Sequence, residues 1–264
     1  MANIGTLHTI SEEHSIKEAV VSFILSPKIA EIGDYRNLVG ENGALRNKFQ
    51  KFESLNIQGV HVSQQLDQTN VCETKERGFK IVSFEDGITR DIIQALPQPQ
   101  TTVLTYNTVK YVKWNEFKCR VLEAISVVSK INPNINLVGV GVMFIDEFYF
   151  DSDSAYQPTL LFNSESKNLP KNILDSDLVD YSLNTHSKKD DYDYIGNISI
   201  RVFNQDKQKV IRITGNTMLL LSQQSFENSM CDPLMNSRLD FGHEENKSML
   251  KDILSQETLK MIHL

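Results

Sequence analysis

The chain has 264 residues, 40% hydrophobic and 23% charged, with 27 Lys and Arg against 34 Asp and Glu for a formal net charge of −7. That balance excludes a disordered polymer, and the length allows one large domain or two modest ones with ample core. The negative charge opposes nonspecific binding to nucleic acid or anionic lipid, and three distant cysteines, Cys72, Cys119 and Cys231, argue against a disulfide framework or zinc knuckle and for a reducing compartment.

Residues 1–15 are polar and read as a loose arm or sheet edge; no basic start precedes an apolar core, so no secretory signal is expected. Residues 19–25 are rich in Val, Ile and Phe and predict a strand that ends at Ser26 and Pro27. A helix is predicted over 44–55, because Leu45, Phe49, Phe52 and Leu55 fall on one face, and Asn42 with Gly43 supplies its start. Three strands follow at 79–85, 88–96 and 102–107, the first two joined by the tight-turn pair Asp86 and Gly87. Tyr111, Trp114 and Phe117 are three apart and open a helix whose stripe continues through Val121, Ala124, Ile125 and Val128. Trp114, the only tryptophan, is read as core, since aromatic residues at helical spacing with Val and Ile are the usual core pattern. After Asn132, Pro133 and Asn134 stop the helix, 137–145 reads as a strand buried on both faces. Gly139 and Gly141 within it are expected to let a helix pack closely. This is the longest apolar run, nine residues, about half of the ~18 that a spanning helix needs, so no membrane span is expected.

Residues 151–176 are richer in Ser, Asp, Asn and Pro and read as a connecting excursion. Strands are predicted at 178–185, 195–204 and 209–223, with a break at Gly215 and Asn216 left open. Helical periodicity over 237–264 runs through Phe241, Glu245, Met249 and Ile253, with a second turn capped by Ser255. The fold class is therefore α+β: antiparallel sheets with helices packed on one face, in two similar-sized halves at 1–150 and 177–264 joined by 151–176.

The helix start Tyr111, Trp114, Phe117 and the strand Gly139 to Asp146 resemble a sporadically distributed, uncharacterised prokaryotic family of similar length. Its members share a Tyr-x-x-Trp-x-x-Phe helix start followed by a strand written Gly-Leu-Arg-Tyr-x-Asn; here Gly141, Val142, Met143, Phe144, Ile145 and Asp146 stand there, without the Arg and Asn. The resemblance touches Glu18 and Ala19 near the start and His243 and Glu244 before the final helix. It implies no established activity. A patchy distribution implies mobile loci of the defence or toxin–antitoxin kind, an association and not a mechanism.

The densest acidic group is Asp146, Glu147, Asp151 and Asp153, whose hard oxygens suit Mg²⁺ or Ca²⁺. Read as a calcium loop from Asp151, position six is Tyr156 and position twelve Phe162, and a start at Asp191 puts Ile195 and Val202 in ligand places; neither fits, and a solvated acidic loop is favoured. Glu73 and Lys75, and Glu165 and Lys167, echo the Glu-x-Lys end of metal-dependent nucleases, but neither stretch is strand-like. No histidine pair has zinc-ligand spacing. His243 with Glu244 and Glu245 is read as a helix start, where acids suit the dipole. No glycine-flanked nucleophile or phosphate loop occurs.

The reading is a non-catalytic cytoplasmic interaction or regulatory protein with a protein partner, no cofactor and no metal, and with homo-oligomerisation left open. The alternative is a metal-dependent hydrolase or nuclease using acids near 146–153 or 190–193. Binding candidates are Asp146, Glu147, Asp151, Asp153, His186 and His243.

Overall fold

The computed structural model describes residues 3–4, 6–56, 76–151, 156–206 and 208–264. The chain opens with β1 (Asn3–Ile4) and β2 (Leu7–Thr9), a short antiparallel pair. Next, β3 (Ile16–Ser26) buries Ala19, Val21, Phe23 and Leu25, the period-two pattern of one strand face. An unforeseen helix, α1 (Ile32–Glu41), buries Ile32, Tyr35 and Val39. The one-turn α2 (Gly43–Arg46) starts where Asn42 predicts, its side chain accepting from the Ala44 and Leu45 amides.

The helix expected over 44–55 stops there. Residues from 51 onward form β4 (Lys51–Asn56), which pairs with β5 (Glu76–Glu85) from Lys51↔Val82 to Leu55↔Gly78. Leu45 and Phe49 are four apart and both buried, so the helical spacing is real but local; the ladder with β5 overrides it beyond that turn.

The meander is as predicted: β5, β6 (Ile88–Pro97) and β7 (Thr102–Thr108). Asp86 and Gly87 both take positive φ, 54° and 76°, the paired left-handed conformation of a tight hairpin. The helix α3 (Trp114–Ser129) then leads to β8 (Asn136–Phe150). A one-turn α4 (Pro158–Leu161) and a 3-10 turn at Lys171–Asp175 occupy the excursion. Three long strands follow, β9 (Val179–Lys189), β10 (Tyr192–Gln205) and β11 (Gln208–Ser225). β11 pairs through Gly215 and Asn216 on both sides, so no break occurs there. The chain closes with α5 (Phe226–Cys231), α6 (Leu234–Ile253) and α7 (Gln256–Met261), the last capped by Ser255, whose hydroxyl accepts from the Thr258 amide.

The strands form one eleven-stranded antiparallel sheet among the described residues, in the order β4-β5-β6-β7-β3-β8-β11-β10-β9, with β2 beside the end of β8. β8 joins β3 on one side to β11 on the other, so the sheet is continuous across 151–176. Among the described residues no helix is long and apolar enough to cross a membrane.

One face of β8 positions everything that follows. Val140, Val142, Phe144, Asp146, Phe148 and Phe150 alternate onto it, and all are buried. Val140, Val142 and Phe144 join one core with Phe117, Val121 and Leu239, while Phe148 and Phe150 join another with Leu7, Ile200, Ile253 and Leu254. Asp146 stands between the two cores. Gly139 and Gly141 lie on the opposite face, against Ile24, Ser22 and Met218 of neighbouring strands. The close helix approach expected of them belongs instead to Gly242 of α6, where an added Cβ would sit 2.8 Å from Val142 Cγ2.

Candidate ligand-binding cleft

Where the two cores part, the helical side of β8 opens into a cleft of about 680 Å³. The segment before β3 supplies His14 and Ser15, the approach to α3 supplies Tyr111 and Trp114, β8 supplies Phe144 and Asp146, and α6 supplies His243 and Asn246. The helix begins at Trp114, one turn later than the Tyr111 spacing suggests, so Tyr111 lies in the extended lead-in. Trp114 is half-buried, not core: it starts α3 at the edge of the stripe, while Phe117, Val121, Ile125 and Val128 fill the interior.

The aromatic rings form a connected wall. Tyr111 meets Phe144 edge-on at 5.8 Å, Phe144 meets Trp114 at 6.0 Å, and His14 meets Tyr111 edge-on at 5.5 Å. His243 stacks face-to-face on Trp114, and the indole Nε1–H donates to Asp240 Oδ1 at 2.6 Å, where Lys118 also binds. Edge and offset contacts of this kind fix ring orientation.

Asp146 is 1% exposed, and Ser15 Oγ donates to its Oδ1 at 2.6 Å. Its Oδ2 is buried with no hydrogen-bond partner. Burial raises the carboxyl pKa to about 6, with the Ser15 bond opposing part of that rise. His14 Nε2 lies 3.0 Å from the Tyr111 carbonyl oxygen, which can only accept, so in the neutral ring Nε2 carries the proton and Nδ1 keeps its lone pair. That Nδ1 is buried without a partner too. Asn246 donates through Nδ2 to the carbonyls of Val142 and Gly242, which fixes its amide orientation and leaves Oδ1 unpartnered above Gly215. Three residues that line the cleft, from three segments, therefore each keep a buried, unsatisfied acceptor, and each such group costs roughly 1–3 kcal/mol.

The six candidates from the sequence separate. Asp146 and His243 come together in the cleft. Glu147 points to the opposite face of β8, bound by Lys17 at 2.8 Å, Arg212 at 2.6 Å and the Tyr149 hydroxyl at 2.5 Å. Burial pushes its carboxyl up, and those three bonds outweigh it and hold the group below its ordinary value. Asp151 is exposed and bonded to His8 Nε2 at 2.6 Å. His186 is exposed on β9 and pairs with Asp193 at 2.5 Å. Asp153 lies outside the described residues, as do Cys72 and Glu73. His243 is not at a helix start: it sits in the middle of α6, facing Trp114. Asp190 and Asp191 form the β9–β10 turn, both at positive φ. Among the described residues no three His, Cys, Asp or Glu side chains are placed to hold a metal ion.

His14, Ser15 and Asn246 were missed by sequence reasoning. The signal available was Asp146 itself, the one charged residue on a strand face otherwise made of Val and Phe. Comparisons with protein-family models, curated proteins and solved structures return no match.

Proposed function

We propose that this chain is a non-catalytic cytoplasmic interaction or regulatory protein that works by binding a small ligand in the cleft and presenting the bound state to a protein partner. One observation carries the reading: Asp146 Oδ2 and His14 Nδ1 are buried, unpaired acceptors on two residues that line an aromatic-walled cavity of ligand size. The geometry also bears on the hydrolase alternative. That alternative needs carboxylates that converge, and Asp146, Glu147 and Asp151 occupy a buried face, the opposite face and an exposed edge. The prokaryotic, defence-type setting rests on the family resemblance alone, and the cleft does not depend on it.

The test is native mass spectrometry of the protein purified gently from its own host, beside Asp146→Asn and Trp114→Ala. The expected result is a small-molecule mass retained by the natural chain and lost from both variants. A chain that carries no ligand from its host, or carries one equally well in all three forms, sinks the reading. So does conversion of the retained molecule to product during incubation.

A further inference from the structure

We propose that the cleft takes an organic cation bearing at least two N–H donors, an alkylammonium or guanidinium on an apolar body, with its charged head against Asp146 and its body along Trp114, Tyr111 and Phe144. The inference rests on the cleft being a binding site and names what that site selects.

The head is read from the orphan atoms. Asp146 Oδ2 and His14 Nδ1 both accept and neither is satisfied. A group that completes both must bring two donors, which a primary ammonium or guanidinium does and a quaternary ammonium does not. A hydroxyl has one. An anion would set its charge against a carboxylate that is 1% exposed, where solvent screens little.

The body is read from the walls. The linked rings of Tyr111, Phe144 and Trp114 offer faces and edges to a cation and an apolar surface to what it is attached to. Ile16, Leu250 and Ile262 continue that apolar lining.

The basic residues nearby do not reverse the preference. Lys118 is held by Asp240 at 2.6 Å, and Lys247 is paired with Glu244 at 3.5 Å. Lys113 and Glu13 are both exposed at the rim with opposite charges. Exposed rim charges act through water, and the buried carboxylate does not.

The experiment is isothermal titration calorimetry of the full chain with three probes of one shape: phenethylamine, phenethyl alcohol and hydrocinnamate. Phenethylamine is expected to bind about ten- to hundredfold more tightly than the alcohol, the range for a hydrogen bond to a charged group, and hydrocinnamate more weakly than either. Asp146→Asn should erase the preference for the amine while alcohol binding persists, which also shows that the variant is folded. His14→Ala should weaken the amine alone, and Trp114→Ala should weaken amine and alcohol together. Alcohol or hydrocinnamate binding as tightly as the amine overturns the cationic class while leaving a binding site in place. Amine binding indifferent to Asp146→Asn, or no binding of any probe, overturns the inference outright; a host ligand retained in the mass-spectrometric test would still uphold the broader reading.

Discussion

The imidazole of His243 lies on the indole of Trp114 with ring centroids 4.5 Å apart and planes 1° from parallel. The indole is also held by its edge, since Nε1–H donates to Asp240, one turn before His243 on α6. One helix thus grips the start of another through both a ring face and a ring edge. Burial lowers the His243 pKa to about 4, against the raising influence of the Glu244 carboxylate, so the stacked ring is neutral near pH 7.

Trp114→Ala removes the stack, the Asp240 bond and part of the cleft wall. Because the indole is half-buried, the expected loss is about 2–3 kcal/mol, below the ~3–5 of a fully buried tryptophan. Urea denaturation measures it. Opening the ring to water should also bring the His243 pKa back toward 6.5, its ordinary value, which proton NMR titration of the imidazole would follow. An unchanged His243 titration would mean that other groups bury the ring.

Asp146→Asn should stabilise the fold, and only at higher pH. The folded carboxyl titrates at about 6 against an ordinary value of 3.8. The folded state therefore holds the extra proton between those values, so the aspartate's favourable contribution is complete below 3.8 and lost as pH rises through about 6. At about 1.4 kcal/mol per pKa unit, the variant should gain roughly 2–3 kcal/mol on the natural chain by pH 7.5 and almost nothing near pH 3.5. Denaturant midpoints measured across that range check it; a gain that does not vary with pH would place its cause in packing, not ionisation.

His243→Phe should tilt stability the other way. A histidine pKa depressed from 6.5 to about 4 gives stability that is present above 6.5 and lost as pH falls toward 4. Phenylalanine keeps a ring on Trp114 without the proton, so its advantage over the natural chain should grow as pH drops through that window. Asp146 and His243 thus oppose one another across nearly the same range. In the double variant both pH-dependent differences should vanish together.

Gly242→Ala should destabilise although alanine favours helices. The added Cβ would stand 2.8 Å from Val142 Cγ2 and 3.1 Å from its Cβ, on a branched side chain fixed in a strand. Forcing such a contact costs about 1–3 kcal/mol and outweighs the ~1 kcal/mol that alanine offers in a helix. Adding Val142→Ala should recover part of the loss in thermal unfolding; an additive double variant would refute direct contact.

The meander, β8, the three C-terminal strands and the Ser255 cap were legible because alternation, turn residues and a capping hydroxyl are local signals. β4 was not, because its ladder is with a strand 20 to 31 positions away, and Phe52 and Leu55 happen to extend the Leu45 and Phe49 spacing. α1 carries Gly40, Asn37 and Asp34 among few apolar residues, which weakens its periodicity below notice. Of the cleft, Asp146 and His243 were singled out, but as members of an acidic group and a helix start. What unites them is the meeting of β8 with α6, a tertiary fact. His14 and Ser15 gave no local sign, since their role depends on being laid beside Asp146 across the sheet.

The position of Trp114 also makes the protein its own optical probe. It is the only indole in the chain, and it touches the cleft on one side and His243 on another. Emission excited selectively through indole therefore comes from a single side chain in the cleft wall. A protonated imidazole quenches a neighbouring indole, so intensity should follow the charge on His243, whereas occupancy should shift the emission wavelength by displacing water. Two spectral quantities would then separate proton from ligand at one place, without any label.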